Sequence, residues 1–360
     1  MTKKLIIAIL ALCTILTTSQ AVLAKEKSQT VTIKNNYSVY IKKEKSQTVT
    51  IKNNYSVYIK KEKRDKPDNK KQISETLKVP LKPKKVVVFD MGALDTITAL
   101  GAEKSVIGIP KAKNALSLLP NNVKSVYKAK RYQDVGSLFE PNFEAIARMQ
   151  PDVVFLGARM ASVDNIEKLK EAAPKAALVY AGVDSKKVFD KGVAERVTML
   201  GKIFDQNKKA KTFNKDIAQA VLKLQKTIEK KGKPTALFVM ANSGELLTQS
   251  PSGRFGWIFS VGGFKAVNEN EKLSSHGTPV SYEYIAEKNP NYLFVLDRGA
   301  TIGQGASSKE LFNNDVIKAT DAVKNKRVHE VDGKDWYINS GGSRVTLRMI
   351  KDVQNFVDNR

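Results

Sequence analysis

The sequence predicts an α/β protein of two similar lobes with one long helix between them, and three observations carry that prediction. First, residues 143–159 (FEAIARMQPDVVFLGAR) and residues 282–298 (YEYIAEKNPNYLFVLDR) align without a gap at a separation of 139 positions. They share Glu144/Glu283, Ile146/Ile285, Ala147/Ala286, Pro151/Pro290, Phe155/Phe294 and Arg159/Arg298. Each copy reads as a short amphipathic helix, a Pro-Asp or Pro-Asn turn, a buried apolar strand, and an arginine where the strand ends. Second, short apolar runs alternate with helical periodicity along most of the chain, the pattern of an α/β fold. Third, a helical pattern over about 207–231 has no strand paired with it and can cross between lobes. Two arginines leaving two strand ends place cationic groups near a shared crevice.

The elements follow in order. Lys3 and Lys4, the apolar run Leu5–Leu16 and Ala-Val-Leu-Ala at 21–24 form an export leader, residues 1–24. The apolar run is too short to span a bilayer. Cys13 is the only cysteine, and Leu12 before it departs from the small residues that precede a lipidated cysteine. The expectation is a free periplasmic protein cleaved near Ala24, with a membrane-anchored lipoprotein as the lesser alternative. Residues 25–42, KEKSQTVTIKNNYSVYIK, recur unchanged at 43–60, followed by a third KEK. Each copy alternates as a strand does, so a hairpin is open to it. The basic composition nevertheless reads 25–78 as a solvated, disordered tether.

From Val79 the chain reads as a compact lobe over 79–206. KKVVVFD (84–90) is a buried strand, MGALDTITALGA (91–102) a helix closed by Gly101, and SVIGIP (105–110) a second strand. After the first repeat unit come a helix over about 163–172 and the strand AALVYAG (176–182). Residues 186–231 are helical, interrupted at Asp205-Gln206-Asn207, so the connecting helix is 207–231. TALFVM (235–240) opens a second lobe, 232–360, much as KKVVVFD opens the first.

Composition narrows the function. The net charge of +25 divides into +2 in the leader, +9 over 25–78 and +14 in the remainder. A basic excess points to nucleic acid, membrane surface or anionic ligands, and export with no nucleic-acid-binding motif leaves the last two. There is no phosphate loop, no dinucleotide fingerprint and no GxSxG. Two histidines cannot build a clustered zinc or manganese site. His329, in KRVHEVD, reads as structural. His276, in the Ser/Gly/Pro loop LSSHGTPVS, sits where a loop leads toward the crevice. Arg159, Arg254 (in SPSGRFGWIF) and Arg298 lie on loops feeding one side of two sheets. Singly, each is a solvated strand-end or turn charge; together they can fork onto the oxygens of an anion. Tyr337 follows Trp336 in DGKDWYINSGGS and is readable as a core or interface aromatic. Glu144 and Glu283 open the two repeat helices, where the helix dipole favours negative charge.

As an ordered series, VPLKPKKVVVFDMGALD, DVGSLFEPNFEAIARMQPDVVFLGAR, PSGRFG, SSHG, PNYLFVLDRG and WYINSGG resemble the substrate-binding proteins of ABC-type iron–siderophore importers, the catecholate type in particular. The similarity covers roughly 76–360. It implies two Rossmann-like α/β lobes joined by a single interlobe helix, a monomer, and a ligand held between the lobes. It implies that Arg159, Arg254 and Arg298 surround an anionic, enterobactin-like ferric catecholate. His276 and Tyr337 then fill the iron positions that a tetradentate ligand leaves open, and Glu144 and Glu283 dock onto an inner-membrane permease. No intrinsic cofactor and no catalytic residue are implied; the Fe(III)–siderophore complex is cargo. Haem or a corrinoid is the alternative cargo within this fold, and an exported α/β enzyme the alternative of another class.

Overall fold

The computed structural model describes residues 29–33, 37–41, 47–60, 69–184, 187–271, 273, 277–304, 308 and 312–360. The chain divides into two units, residues 1–47 and 48–360. Within the first unit, β1 (Gln29–Ile33) and β2 (Tyr37–Ile41) pair antiparallel from Gln29 opposite Ile41 to Ile33 opposite Tyr37.

The second unit opens with β3 (Thr48–Tyr58) and β4 (Lys70–Pro80), an antiparallel pair running without a bulge from Thr48/Pro80 to Tyr58/Lys70. Every second residue of β3 from Ile51 to Val57 is buried, so one face of the strand is core. Asn53, 2% exposed, donates to Leu178 O (3.1 Å) and accepts from Tyr180 N (2.9 Å), acting as one more amide rung along a sheet edge. Tyr55 stacks on Tyr180 with ring centroids 5.0 Å apart. The solvated tether expected over 25–78 is therefore corrected for 48–58 and 70–78. The strand alternation, outweighed at the sequence level by charge, is what packs.

The first lobe's sheet is parallel throughout, in the order β7-β6-β5-β8-β9. Its strands are β5 (Val86–Val88), β6 (Val106–Ile109), β7 (Gln133–Asp134), β8 (Val153–Leu156) and β9 (Ala177–Tyr180). β5 and β8 are buried at every position, as parallel strands covered on both faces must be. Around them lie α1 (Met91–Leu100), closed by Gly101 as expected, α2 (Phe143–Met149), α3 (Val163–Ala172) and α4 (Phe189–Ile203). Asp205, with φ 54°, breaks the helical run where the sequence predicts. Helix α5 (Asn207–Lys230) then crosses to the second lobe, burying Ala210, Ile217, Val221, Leu224 and Ile228 along one stripe.

The second sheet has the order β13-β11-β10-β14-β15, with β12 (Lys265–Ala266) also pairing β10. β10 (Thr235–Asn242), β14 (Tyr292–Asp297) and β15 (Val328–Glu330) are parallel. β11 (Glu245–Thr248) folds back on β10 through Ser243-Gly244, both at positive φ, and β13 (Thr278–Val280) pairs antiparallel with it. This lobe is thus a mixed sheet, where the sequence pattern suggested a closer copy of the first. The repeat units are α2–β8 and, in the second lobe, α6 (Tyr282–Lys288) followed by β14. After β14 comes α7 (Arg298–Ile302), and the chain ends in α8 (Ser343–Asp358). Among the described residues no helix is long and apolar enough to cross a membrane.

Helix α8 returns from the second lobe against both α5 and α1. Its N-terminus has no cap of its own. Asp95 of α1, fully buried, accepts instead from Arg344 N (2.9 Å) and Val345 N (3.3 Å), while Thr96 Oγ1 accepts from Ser343 N (3.0 Å). A carboxylate from one lobe thereby satisfies the orphan amides of the helix that closes the other. Asp95→Ala should lower the unfolding free energy by about 1–3 kcal/mol, the range for a charged hydrogen-bond acceptor lost at a buried site. Asp315→Ala, at the exposed first residue of the one-turn helix Asp315–Lys318, should stay within about 0.5 kcal/mol. Denaturant unfolding of the two variants checks the difference.

Candidate functional site

The carboxyl ends of the parallel strands are where an α/β sheet leaves backbone ends and loops free to meet a ligand. Arg159 lies in the turn after β8. Gly157 just before it lets the chain pass close to β5, since a Cβ there would sit 2.9 Å from Phe89 O. Arg298 is the first residue of α7, fixed because Asp297 caps that helix by accepting from Ala300 N at 2.7 Å. Arg254 lies in the turn that precedes Trp257.

Tyr337 lies in a π-helical turn, Lys334–Ile338, an uncommon geometry that recurs at functional sites. The turn is pinned on three sides. Trp336, 1% exposed, packs against Trp257 and Phe238, with centroids 5.0 and 5.6 Å away. Asp335 takes both arms of Arg348 on α8, at 2.8 and 2.7 Å. Asn339 donates to Leu118 O in the first lobe at 2.9 Å.

All three arginines converge on Tyr337. Arg159 Nη2 donates to its backbone carbonyl at 2.6 Å, and Arg254 Nη2 donates to the same oxygen. Arg298 Nε donates to its phenolic oxygen at 2.9 Å. The guanidinium carbons of Arg159, Arg254 and Arg298 stand 5.5, 4.7 and 5.4 Å from the ring centroid, within cation–π range. Burial pushes the phenol pKa up. The hydrogen bond from Arg298 and the charges of Arg298, Arg159 and Arg254 outweigh it and hold the phenol below its ordinary value. Arg254 is exposed as a residue, yet its guanidinium end is enclosed. That enclosure, and then the charge of Arg159, draws its pKa down to about 9, which leaves it cationic at neutral pH.

Two further residues complete the site, and sequence reasoning missed both. Asn242, at the end of β10, accepts from Arg298 Nη1 through its side-chain oxygen. Asp90, at the end of the strand segment KKVVVFD, caps α1 at Ala93 N (2.7 Å) and pairs with the buried Arg196 (3.0 Å). Their shared signal is position: each is a polar residue at a strand's carboxyl end. Glu144 and Glu283 stand apart from the arginines, exposed in the first turns of α2 and α6. Glu144 lies 3.9 Å from Arg148, and the backbone amide of Glu283 itself holds its carboxyl below the usual range. His276 lies outside the described residues; His329 pairs with Asp352 at 2.7 Å, away from the arginine cluster.

The sequence model of the periplasmic binding protein family matches residues 86–334. The chain belongs to the periplasmic binding protein family. It is 41% identical over 278 residues to the petrobactin-binding protein YclQ of Bacillus subtilis, an alignment that spans 77% of this chain and 84% of YclQ. The crystal structure of YclQ superposes with a TM-score of 0.71 at 36% identity, covering 85% of this chain and 99% of that one. The catecholate-siderophore binding protein VctP of Vibrio cholerae superposes with a TM-score of 0.69 at 28% identity, covering 84% and 100%. The two-lobed α/β architecture is therefore the family's, and relatives named for iron–siderophore capture share it.

Ultraviolet titration should detect one tyrosine ionising below the ordinary tyrosine range, identified by its loss in Tyr337→Phe. Arg298→Gln should move that titration to higher pH, because it removes both the hydrogen bond and the largest of the three charge effects. Curves for wild type and Arg298→Gln that coincide would contradict the assignment.

Proposed function

We propose that the protein captures an anionic ferric catecholate siderophore between its lobes and delivers it to an ABC permease. The carrying observation is the convergence of Arg159, Arg254 and Arg298, from three loops of two lobes, on one tyrosine biased toward phenolate. A ferric catecholate complex is net negative and presents hard oxygen donors. Guanidinium groups keep their charge and fork onto such oxygens, and a phenolate is a suitable added ligand for ferric iron. The named specificities of YclQ and VctP support the same class of cargo.

In this reading the three arginines hold the complex. Tyr337 and His276 complete the iron's coordination when the siderophore supplies only four donors. Glu144 and Glu283, one exposed carboxylate per lobe, meet the permease. Binding without turnover distinguishes the protein from an enzyme, and the leader read at 1–24 supports a place on the far side of the inner membrane.

The test is a binding panel of ferric catecholate, hydroxamate and citrate complexes and haem, followed by quenching of Trp257 and Trp336. Ferric catecholates should bind tightest; haem binding tightly while catecholates fail would overturn the reading. Tyr337→Phe should weaken tetradentate bis-catecholate complexes roughly tenfold or more, about 1.4 kcal/mol, and hexadentate ones far less. Each arginine changed to Gln should weaken both classes by about 1–3 kcal/mol. Equal losses for both classes in Tyr337→Phe would assign that residue to packing alone.

A further inference from the structure

The tandem repeat is a feature that ligand capture does not use. Residues 25–45 and 43–63 both read KEKSQTVTIKNNYSVYIKKEK. The second copy supplies β3, and everything that seats β3 is intrinsic to the repeated sequence. Ile51, Asn53, Tyr55 and Val57 form the buried face, and Asn53 and Tyr55 engage the β9 edge. Tyr58 N donates to Ala161 O at 3.1 Å, and Ile59 N and Lys60 N are met by Asn69 O (3.1 Å) and Oδ1 (2.8 Å). Each of those positions recurs in the first copy as Ile33, Asn35, Tyr37, Val39, Tyr40, Ile41 and Lys42.

The same residues take two backbone forms. In the second copy they run as one continuous strand across Asn53-Asn54; in the first, Gln29–Ile33 folds back on Tyr37–Ile41. The repeated sequence is therefore compatible with both a continuous strand and a hairpin, and its residues alone do not dictate which form it takes.

We propose that residues 30–40 are an interchangeable occupant of the β3 position, so that the N-terminal segment exchanges by one whole repeat beside β4 and β9. The contacts made are identical in the two states. Their difference lies in the connection to β4, which is residues 59–69 in the resident state and 41–69 in the exchanged one. Loop closure scales as the three-halves power of length, which makes the exchanged state roughly fourfold less populated. Exchange shifts by one repeat which residues fill the β3 position, and it leaves the residues around Tyr337 unchanged.

Disulfide trapping tests the exchange. Ser56 and Gln72 face each other across β3 and β4, with Gln72 Nε2 2.6 Å from Ser56 Oγ. In full-length chain carrying Cys13→Ser, equilibrated in a glutathione buffer, S56C/Q72C reports the resident state and S38C/Q72C the exchanged one. T32C/Q72C is the out-of-register control. The S38C/Q72C bond should form within the chain at roughly a quarter of the S56C/Q72C yield and well above the control. Adding Tyr55→Ser and Val57→Ser should make S38C/Q72C the dominant bond and change thermal stability little. Adding Tyr37→Ser and Val39→Ser as well should then lower the melting temperature by several degrees. The proposal is overturned if S38C/Q72C matches the control, if its bond forms between chains, or if Tyr55→Ser/Val57→Ser destabilises equally with and without the first copy intact.

Discussion

Three guanidinium groups crowded around one side chain repel one another, and the architecture of the site follows from the need to hold them there. Tyr337 offers them its carbonyl, its phenol and its ring face, each taken by at least one arginine, and Asn242 accepts from Arg298 besides. That arrangement is tenable only if Tyr337 itself cannot move. Hence the surrounding restraints: a buried indole on one side, a two-armed Asp335–Arg348 pair behind, and Asn339 reaching to the first lobe. Tyr337 offers two oxygens and a ring face where a bound anion with several oxygens offers more. Guanidinium donors in this arrangement match in chemistry the oxygens of such an anion.

The scaffold keeps those distances fixed. One helix, α5, links the lobes, α8 lies along it, and the α8 amide end is capped by Asp95 from α1. A carboxylate that is fully buried and committed to the amides of another lobe's helix resists separation, because moving it apart would strand both partners. Separating the lobes would have to break this cap together with the packing of α8 on α5 and α1. Asp90 and Arg196 serve the same end beneath the cleft, tying the end of β5 to α4 while capping α1.

What the sequence made legible was local and repeated. Both repeat helices begin at a side-chain cap, Asn142 and Ser281, and both end in the left-handed region, at Gln150 (φ 43°) and Asn289 (φ 36°). The caps and the Asn289 end could be read from residue type, but the Gln150 end could not, since glutamine carries no left-handed signal. The three arginines and Tyr337 were also legible, because charge and hydroxyl stand out against apolar strands. The β3–β4 hairpin was not, because its lysines argued for solvation while its burial depends on a partner edge far along the chain. Asn242 was hidden for the same reason: only the fold shows that the end of β10 lies beside Arg298. The antiparallel return of β11 was carried by Ser243-Gly244, a turn signal too short to outweigh the expectation of lobe symmetry.

The repeat therefore supplies equivalent charges but not equivalent roles. Arg159 and Arg298 occupy the same place in their units, yet the residues before them differ: Ala158 in one, Asp297 in the other. Asp297 caps a new helix at once, which fixes Arg298 as its first residue and gives it two partners, Tyr337 Oη through Nε and Asn242 through Nη1. Arg159 starts no helix; it lies in a turn, the next helix waiting for the cap at Ser162, and its Nη2 takes the Tyr337 carbonyl instead. The residue before each arginine thus differs together with the local backbone and with the oxygen that the arginine addresses. Because Tyr337 belongs to neither copy, a duplicated scaffold can present an asymmetric face, with a phenol held below its ordinary pKa on one side.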